Sequence, residues 1–179
     1  MNKKQELQTY RLVLKSLEDK DQESMMKMVK DPTIKKTYML PDFDNEEQET
    51  KFFQKLKNLT TSDEHITYGI YLKDRLIGFI NDVVMTPDAV EVGYFIDSDE
   101  WNKGYATEAL WEYMKQLFAM GFSYVEAAYF EGNDASAKVM QNCLMHPSGK
   151  EEIISYRGEE LKAIYYKVTR RLFLVVYSK

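Results

Sequence analysis

The apolar positions of the chain follow two spacings, which predict strands and helices in turn. Alternating spacing predicts strands over 10–15, 66–72, 76–84, 90–96 and 124–129, and near 151–156 and 161–169 around a turn at 157–158. Helical spacing predicts helices over 19–30, from 44 or 45 onward, over 104–120, and from about 133 to a stop at 147–149. The order β-α-α-β-β-β-α-β-α-β-β puts a strand–helix–strand crossover in a mostly antiparallel sheet, which predicts an α+β fold.

Local signals set several helix boundaries. Asp31-Pro32 predicts the end of the first helix. Asp44 or Asn45 can cap the second, whose apolar face is Phe52, Phe53, Leu56 and Leu59. The inward face of the last predicted helix is Ala135, Val139, Met140, Cys143 and Leu144.

The polar stretch between the strand 90–96 and the helix 104–120 is a candidate anion site. The first N–H groups of a helix have no intrahelical partner and lie at the positive end of the helix dipole. Gly104 has no Cβ, so a phosphate can approach the main chain there. An ordinary strand–turn–helix joint fits the same local pattern. The chain contains neither the GxxxxGK[ST] loop of nucleoside triphosphatases nor the GxGxxG loop of dinucleotide folds.

The run Trp101-Asn102-Lys103-Gly104-Tyr105-Ala106 resembles the [Q/R/W]-x-x-G-x-[G/A] acyl-CoA pyrophosphate loop of GNAT-superfamily acetyltransferases. Thr107-Glu108-Ala109 is typical of the ribosomal-protein-alanine (RimJ/RimL-type) branch, and Asn133-Asp134-Ala135-Ser136 resembles its N-x-x-S element. The resemblance covers roughly residues 8–169. It implies a GNAT-like mixed, mostly antiparallel sheet flanked by helices, with a central strand–loop–helix acyl-CoA site. It also implies an acetyl-CoA-dependent N-acetyltransferase that acts on a primary amine in a ternary complex, the amine being a peptide α-amine or a small molecule.

The resemblance assigns roles to individual residues. Backbone N–H groups near Phe95 and Ile96 would polarise the thioester carbonyl, in a strand that parts from its neighbour in this family. Asn133 would hold the pantetheine amide, and Ser136 would protonate the leaving thiolate. Asn and Ser are also common helix caps, so a purely structural role stays open for both. The remaining predicted cofactor-binding residues form the loop: Lys103, Gly104, Tyr105, Ala106 and Thr107.

Three features depart from the family pattern. Some ribosomal-protein acetyltransferases carry a carboxylate in the strand before the last hairpin, where this chain has Ser155, so specificity for a ribosomal protein is not implied. Many GNAT enzymes carry a Tyr acid where this chain has Met140, which gives Ser136 more weight as the acid. The Gly-[Phe/Met] that follows the last helix in the family is Leu144-Met145 here.

Glu91 is the candidate base. An alkyl amine with a pKa near ~10 is only about one part in a thousand neutral at pH 7, so transfer benefits from a base or a wet proton path. Alternation puts Glu91, Gly93 and Phe95 on one face of the strand 90–96, and Gly93 suits a bulge or a close approach. A solvated strand-edge carboxylate is the alternative interpretation of Glu91.

Composition narrows the class of protein. The 179 residues, 44% hydrophobic and 30% charged, fit one globular domain over 1–179 with its core over about 8–169. The tail 170–179 could extend a strand or cover a second copy in a homodimer. A net charge of −5 without a basic cluster argues against nucleic acid as a partner. No apolar run approaches the roughly 18 residues that cross a membrane.

The single cysteine suits a reducing compartment such as the cytoplasm. With one Cys and two His, no metal site is predicted, and Cys143 in an apolar helix face reads as a core residue. A CoA-binding module without catalysis, acting as a sensor or in assembly, is the alternative function.

Overall fold

The computed structural model describes residues 5–177, which form one eight-stranded sheet and six helices. The strands are β1 (Leu7–Gln8), β2 (Leu12–Lys15), β3 (Tyr68–Leu72), β4 (Arg75–Met85), β5 (Ala89–Ile96), β6 (Tyr124–Phe130), β7 (His146–Tyr156) and β8 (Glu159–Thr169). The helices are α1 (Gln22–Lys30), α2 (Pro32–Lys35), α3 (Glu46–Thr61), α4 (Tyr105–Ala119), α5 (Asp134–Asn142) and α6 (Arg170–Tyr177). The single domain predicted over 1–179 includes residues 1–4 and 178–179, which lie outside the described residues.

The strand order is β1-β2-β3-β4-β5-β6-β8-β7. The β5–β6 pair is parallel, because α4 is the crossover between them, whereas the β1–β2, β2–β3, β3–β4, β6–β8 and β7–β8 pairs are antiparallel. The predicted mixed, mostly antiparallel sheet flanked by helices is confirmed.

The chain divides into two compact units: residues 5–81 with 94–112, and residues 82–93 with 113–177. In the first unit, Met25, Met28 and Val29 of α1 and Phe53 of α3 are fully buried, as the helical spacing predicts. They belong to one core with the sheet residues Tyr71, Phe79 and Phe95. Asn45 caps α3 by accepting a hydrogen bond from the Gln48 N–H at 3.0 Å.

In the second unit, β6 pairs along its whole length with β8, and β8 pairs with β7. The β7–β8 turn consists of Arg157 and Gly158, both with positive φ, as two-residue hairpin turns require. The tail is the helix α6, so its interpretation as a strand extension is wrong. Phe173 anchors α6, with its ring centroid 5.0 Å from that of Phe118. Exposed on α6 are Leu174, Val175, Val176 and Tyr177.

Two boundaries differ from prediction. α1 does end at Lys30, but Pro32 then starts α2, because proline is tolerated at the first helical position and Asp31 caps it through the Thr33 N–H at 2.7 Å. α5 ends at Asn142, not at Pro147, which lies in β7. Its chain reverses at Leu144, with φ of 64°, and the Met145 N–H closes the end on the Met140 carbonyl at 3.0 Å.

The predicted inward face of α5 is wrong at one position. Ala135 is exposed and Ala137 is buried in its place, whereas Met140 and Cys143 are buried as predicted. The observed set of 137, 140 and 143 follows the i, i+3 spacing of one helix face more closely than a set that starts at 135.

Candidate functional site

The loop between β5 and α4 has the backbone of an anion site. After the turn Ser98–Glu100, Asn102 has φ of 61° and Gly104 has φ of 80°. The Glu108 N–H bonds the Gly104 carbonyl at 3.1 Å, which makes the N–H groups of the first turn of α4 the ones without an intrahelical carbonyl. Residues 102–104 are exposed, so this positive helix end faces solvent. Binding of a phosphate group at this loop stays a prediction.

Side chains fix the loop from the side of β5. The Trp101 indole donates to the Ile96 carbonyl at 2.8 Å, and its ring packs against the first unit's core. Lys103 Nζ donates to Glu100 Oε2 at 2.9 Å and to the Asp99 carbonyl at 3.0 Å. A phosphate contact from Lys103, which has three N–H donors, stays a prediction.

Glu100 is the buried carboxylate of this turn. It accepts hydrogen bonds from Lys103 and from Arg75. These bonds, that from Lys103 first, lower the pKa of Glu100 below its usual value, although burial alone would raise it. Glu100 therefore stays ionised and holds the two cations at the foot of the loop.

Glu108, in the first turn of α4, connects the loop to Thr9 and Arg11. Glu108 Oε1 accepts from the Thr9 hydroxyl at 2.5 Å and from the Arg11 backbone N–H at 2.7 Å, and Oε2 accepts from Arg11 Nε at 2.7 Å. Burial by itself raises the pKa of Glu108, but these hydrogen bonds outweigh it and the pKa is lowered. This role of Glu108 could not be predicted from the sequence, because its partners lie up to 99 positions away.

At the end of β5, Phe95 and Ile96 are both buried. The Phe95 ring stacks on Phe79 with centroids 5.9 Å apart, and the edge of Tyr38 meets it at 5.2 Å. The close backbone approach in this region is at Gly78, where an added Cβ would lie 2.5 Å from the Phe95 carbonyl oxygen. The parallel register with β6 covers Ala89–Val92 of β5.

In the second unit, Glu91 is half-buried on β5 rather than fully solvated. Its register partner on β6 is Glu126. Burial raises the pKa of Glu91, Lys150 opposes this, and the charges of Glu126 and Glu152 raise the pKa further. Glu152 is itself held by the Tyr165 hydroxyl at 2.7 Å and by Lys150 at 3.2 Å. A raised pKa makes the Glu91 carboxylate a stronger base.

The start of α5 carries the other predicted pair. Asn133 is the N-cap, and its Oδ1 accepts from the Ser136 backbone N–H at 3.2 Å. Its own N–H bonds the Phe130 carbonyl at 2.9 Å. Asn133 therefore caps α5, and its side chain bonds the backbone N–H of Ser136. The Ser136 side chain is half-buried, and its role as an acid stays a prediction.

Cys143 is fully buried, and burial raises the pKa of its thiol to about 12. At neutral pH it is a protonated thiol, which is neither a nucleophile nor a metal ligand. Within residues 5–177, no group of three or more His, Cys, Asp and Glu side chains is arranged to hold a metal ion. No helix in that same range is long and apolar enough to span a membrane.

The predicted site residues thus fall into two groups. The first unit brings together Phe95, Ile96, Lys103, Gly104, Tyr105, Ala106 and Thr107. The second unit holds Glu91, Asn133 and Ser136. The roles of both groups in binding and catalysis stay predictions.

The family model "Acetyltransferase (GNAT) domain" matches residues 11–146, more than half of the chain. The chain belongs to the GNAT acetyltransferase family. It is therefore an enzyme of the acetyltransferase class, as predicted. This GNAT chain is 28% identical over 139 residues to YoaA of Bacillus subtilis (strain 168), named as an uncharacterized N-acetyltransferase, with 75% of the chain and 78% of YoaA covered.

Solved structures share the GNAT fold. RimL, the ribosomal L7/L12 α-N-protein acetyltransferase, has a TM-score of 0.80 at 15% identity, covering 92% of this chain and 94% of RimL. MccE, a microcin C7 self-immunity acetyltransferase solved with acetyl-CoA and AMP, has a TM-score of 0.78 at 15% identity, covering 89% and 93%. At these identities the likeness extends to the fold alone.

Proposed function

We propose that this GNAT enzyme transfers the acetyl group of acetyl-CoA to a primary amine by direct attack in a ternary complex. The observation that carries the proposal is the backbone of the loop, where Gly104 with φ of 80° opens α4 and leaves its first N–H groups for an anion. The diphosphate of acetyl-CoA is such an anion. MccE, with the same fold, was solved with acetyl-CoA.

The reaction needs a neutral amine, an acceptor for the proton that the amine loses, and a donor for the proton that the thiolate gains. The amine nitrogen attacks the thioester carbonyl carbon, the C–S bond breaks, and the products are an N-acetyl amide and the CoA thiol. Glu91, directly or through water, takes the proton that the amine loses, which its raised pKa favours. Ser136 donates a proton to the leaving thiolate. No covalent intermediate with the enzyme is involved.

The acceptor is a peptide or protein α-amine, or a small-molecule amine. RimL is named for a ribosomal protein N-terminus and MccE for self-immunity to a microcin, yet both match this chain with nearly equal TM-scores. Fold similarity therefore favours neither acceptor class. The RimJ/RimL-type motifs do not decide between the two classes either, because Ser155 stands where some ribosomal-protein acetyltransferases carry a carboxylate.

The first test is whether the loop binds acetyl-CoA. Gly104→Val places a β-branched side chain against the loop and strains its backbone. Gly158→Val is the matched control, because Gly158 has the same φ of 80° and lies in the β7–β8 turn. Calorimetry with acetyl-CoA should show at least about a tenfold loss of affinity for Gly104→Val alone, since one lost charged hydrogen bond is worth about 1.5–3 kcal/mol.

Thermal melts followed by circular dichroism report the strain that both variants share. A folded Gly104→Val variant with wild-type affinity would refute the proposed binding loop. The second test screens amines and N-terminal peptides with wild-type protein, scored by release of free CoA. Binding of CoA without turnover on any amine would favour a CoA-binding sensor or assembly module instead.

A further inference from the structure

Residues 101–107, which follow β5 and run into the first turn of α4, are called the CoA loop below. Arg11, the residue before β2, contacts Lys103 and Tyr105 of this loop and Glu108 directly after it. Its Nη1 donates to the Lys103 carbonyl at 2.9 Å, and its Nε donates to Glu108 at 2.7 Å. Its guanidinium carbon lies 4.5 Å from the centroid of the Tyr105 ring, a cation–π distance. The position of a Cβ added to Gly104 would be 3.3 Å from Nη2. One side chain therefore spans the loop from Lys103 to Glu108 in the first turn of α4.

The bond to Lys103 determines where the Gly104 N–H points. The Lys103 carbonyl and the Gly104 N–H belong to one planar trans peptide, so they point in opposite directions. Arg11, by holding the carbonyl on its own side, directs the Gly104 N–H to the other side.

That peptide needs such a restraint. Asn102 and Gly104 on either side of Lys103 both have positive φ, and glycine populates positive and negative φ about equally. Rotation of the Lys103–Gly104 peptide is therefore cheap in the absence of a side chain that selects one orientation.

Arg11 is itself fixed. Its backbone N–H and its Nε bond the two oxygens of the same Glu108 carboxylate, and the Thr9 hydroxyl bonds Oε1 as well. The Glu108 side chain is 17% exposed and that of Arg11 is 37% exposed. Planar guanidinium donors in a fixed fork suit this geometry, which a lysine cannot reproduce.

We propose that Arg11 is a positioning residue for the diphosphate of acyl-CoA, because it fixes the Lys103–Gly104 peptide with the Gly104 N–H facing the ligand. The inference rests on the proposed function. The competing assignment is a direct bond between Arg11 and a phosphate. Arg11 lies on the carbonyl side of the peptide, which argues against that bond.

The test uses protein labelled with ¹⁵N-glycine, whose eight glycines give a simple NMR spectrum. Wild-type protein, Arg11→Met, Arg11→Lys and the control Arg171→Met are titrated with CoA and with inorganic pyrophosphate. Arg171 is an exposed arginine of α6, so its loss matches the change in charge.

In wild-type protein the Gly104 amide should move on addition of either ligand. In Arg11→Met it should already be displaced before ligand is added, while the other glycine signals stay in place. CoA should bind about tenfold more weakly, which corresponds to about 1.4 kcal/mol. Arg11→Lys should lose most of the same affinity, because one ammonium cannot bond both Glu108 and the Lys103 carbonyl. Arg171→Met should behave as wild type.

Three results would count against the inference. Wild-type affinity in Arg11→Met refutes it while leaving the CoA loop intact. Full affinity in Arg11→Lys, with an undisplaced Gly104 amide in Arg11→Met, assigns Arg11 as a direct charge partner of phosphate. A wild-type protein that does not bind CoA overturns the proposed function and the inference together. Should Arg11→Met fail to fold, as the other glycine signals report, Arg11→Lys carries the test.

Discussion

Replacing Glu91 by glutamine should slow the enzyme and stabilise the fold at the same time. Glu91 is half-buried on β5, its register partner on β6 is Glu126, and its pKa is raised first by burial. Burial and the nearby charge of Glu126 favour Glu91 as a base, and both raise the free energy of its ionised form in the folded protein. Glutamine keeps the size and the hydrogen-bonding capacity of the side chain while removing the charge.

The sign of the stability change follows from the pKa. A carboxyl whose pKa is higher in the folded than in the unfolded state destabilises the fold once it ionises. The penalty is absent below the unfolded pKa of about 4.3 and complete above the folded pKa. A repulsive cross-strand pair costs about 0.2–1 kcal/mol, which sets the expected gain of Glu91→Gln at pH 7. The melting temperature should rise by about 1–3 °C for a chain of this length, and the gain should vanish near pH 4.

The effect on rate has the opposite sign. Loss of a general base costs about 10²-fold or more at pH 7. The deficit should shrink between pH 7 and 9, because hydroxide replaces the base and the neutral fraction of the amine grows about tenfold per pH unit. Affinity for acetyl-CoA should stay at the wild-type value.

Glu126→Gln is the matched control, because it removes the same repulsion without touching the proposed base. It should gain less stability than Glu91→Gln, because the burial of ionised Glu91 remains, and it should keep the wild-type rate. The assays are thermal melts between pH 4 and 8, and free CoA release between pH 6 and 9 with an acceptor from the amine screen. A Glu91→Gln variant that reacts at the wild-type rate over this range would show that Glu91 is not the base. A variant that melts lower at pH 7 would refute the electrostatic argument.

Further substitutions test other parts of the structure. Ser136→Ala should lower turnover more than it lowers affinity for acetyl-CoA, because protonation of the leaving thiolate belongs to the transition state, and turnover measured beside calorimetric affinity checks this. Asn133→Ala should cost about 1 kcal/mol of stability in thermal melts, because Asn133 caps α5. Glu108→Gln should cost about 1–2 kcal/mol at pH 7. Since the pKa of Glu108 is lowered, that difference should be present above pH ~4.3 and disappear in melts as pH falls through the folded pKa. Lys73→Asn should raise stability in denaturant titrations by about 0.5 kcal/mol, because Lys73 has φ of 56° in an exposed two-residue turn that asparagine tolerates; unchanged or lower stability would contradict this.

The central part of the fold could be predicted because its signals are local. The strand β5, the polar loop and α4 follow one another within 31 residues, Ala89–Ala119, and each has its own apolar spacing or glycine. The helix α6 was missed because a short run such as Leu172-Phe173-Leu174-Val175-Val176 has no period that separates helix from strand. The helix is stabilised by packing of Phe173 on Phe118, a contact between residues that are far apart in the sequence.

The candidate site could be predicted only in part, for two physical reasons. The polar side chains of Asn133 and Ser136 can either cap a helix or bind a ligand, so the sequence alone cannot distinguish these roles. The contact between Arg11 and Glu108 could not be predicted, because a hydrogen bond between residues 97 positions apart leaves no periodic pattern in the sequence. The role of Lys103 is ambiguous as well, because its ammonium could bind a phosphate but in the structure donates to Glu100 of the preceding turn.

The tie between Glu108 and the first strands has a consequence for how the free protein moves. The hairpin of β1 and β2 pairs over Leu7↔Leu14 and Gln8↔Val13, and such short terminal pairs open readily. Each opening that releases Thr9 and Arg11 from Glu108 also frees the loop at Gly104. Opening of the β1–β2 pair and loss of order in the loop between β5 and α4 are then one event. A ligand that orders the loop should therefore slow amide hydrogen exchange at Leu12, about 90 positions away in sequence but bonded to Thr9 in the same turn.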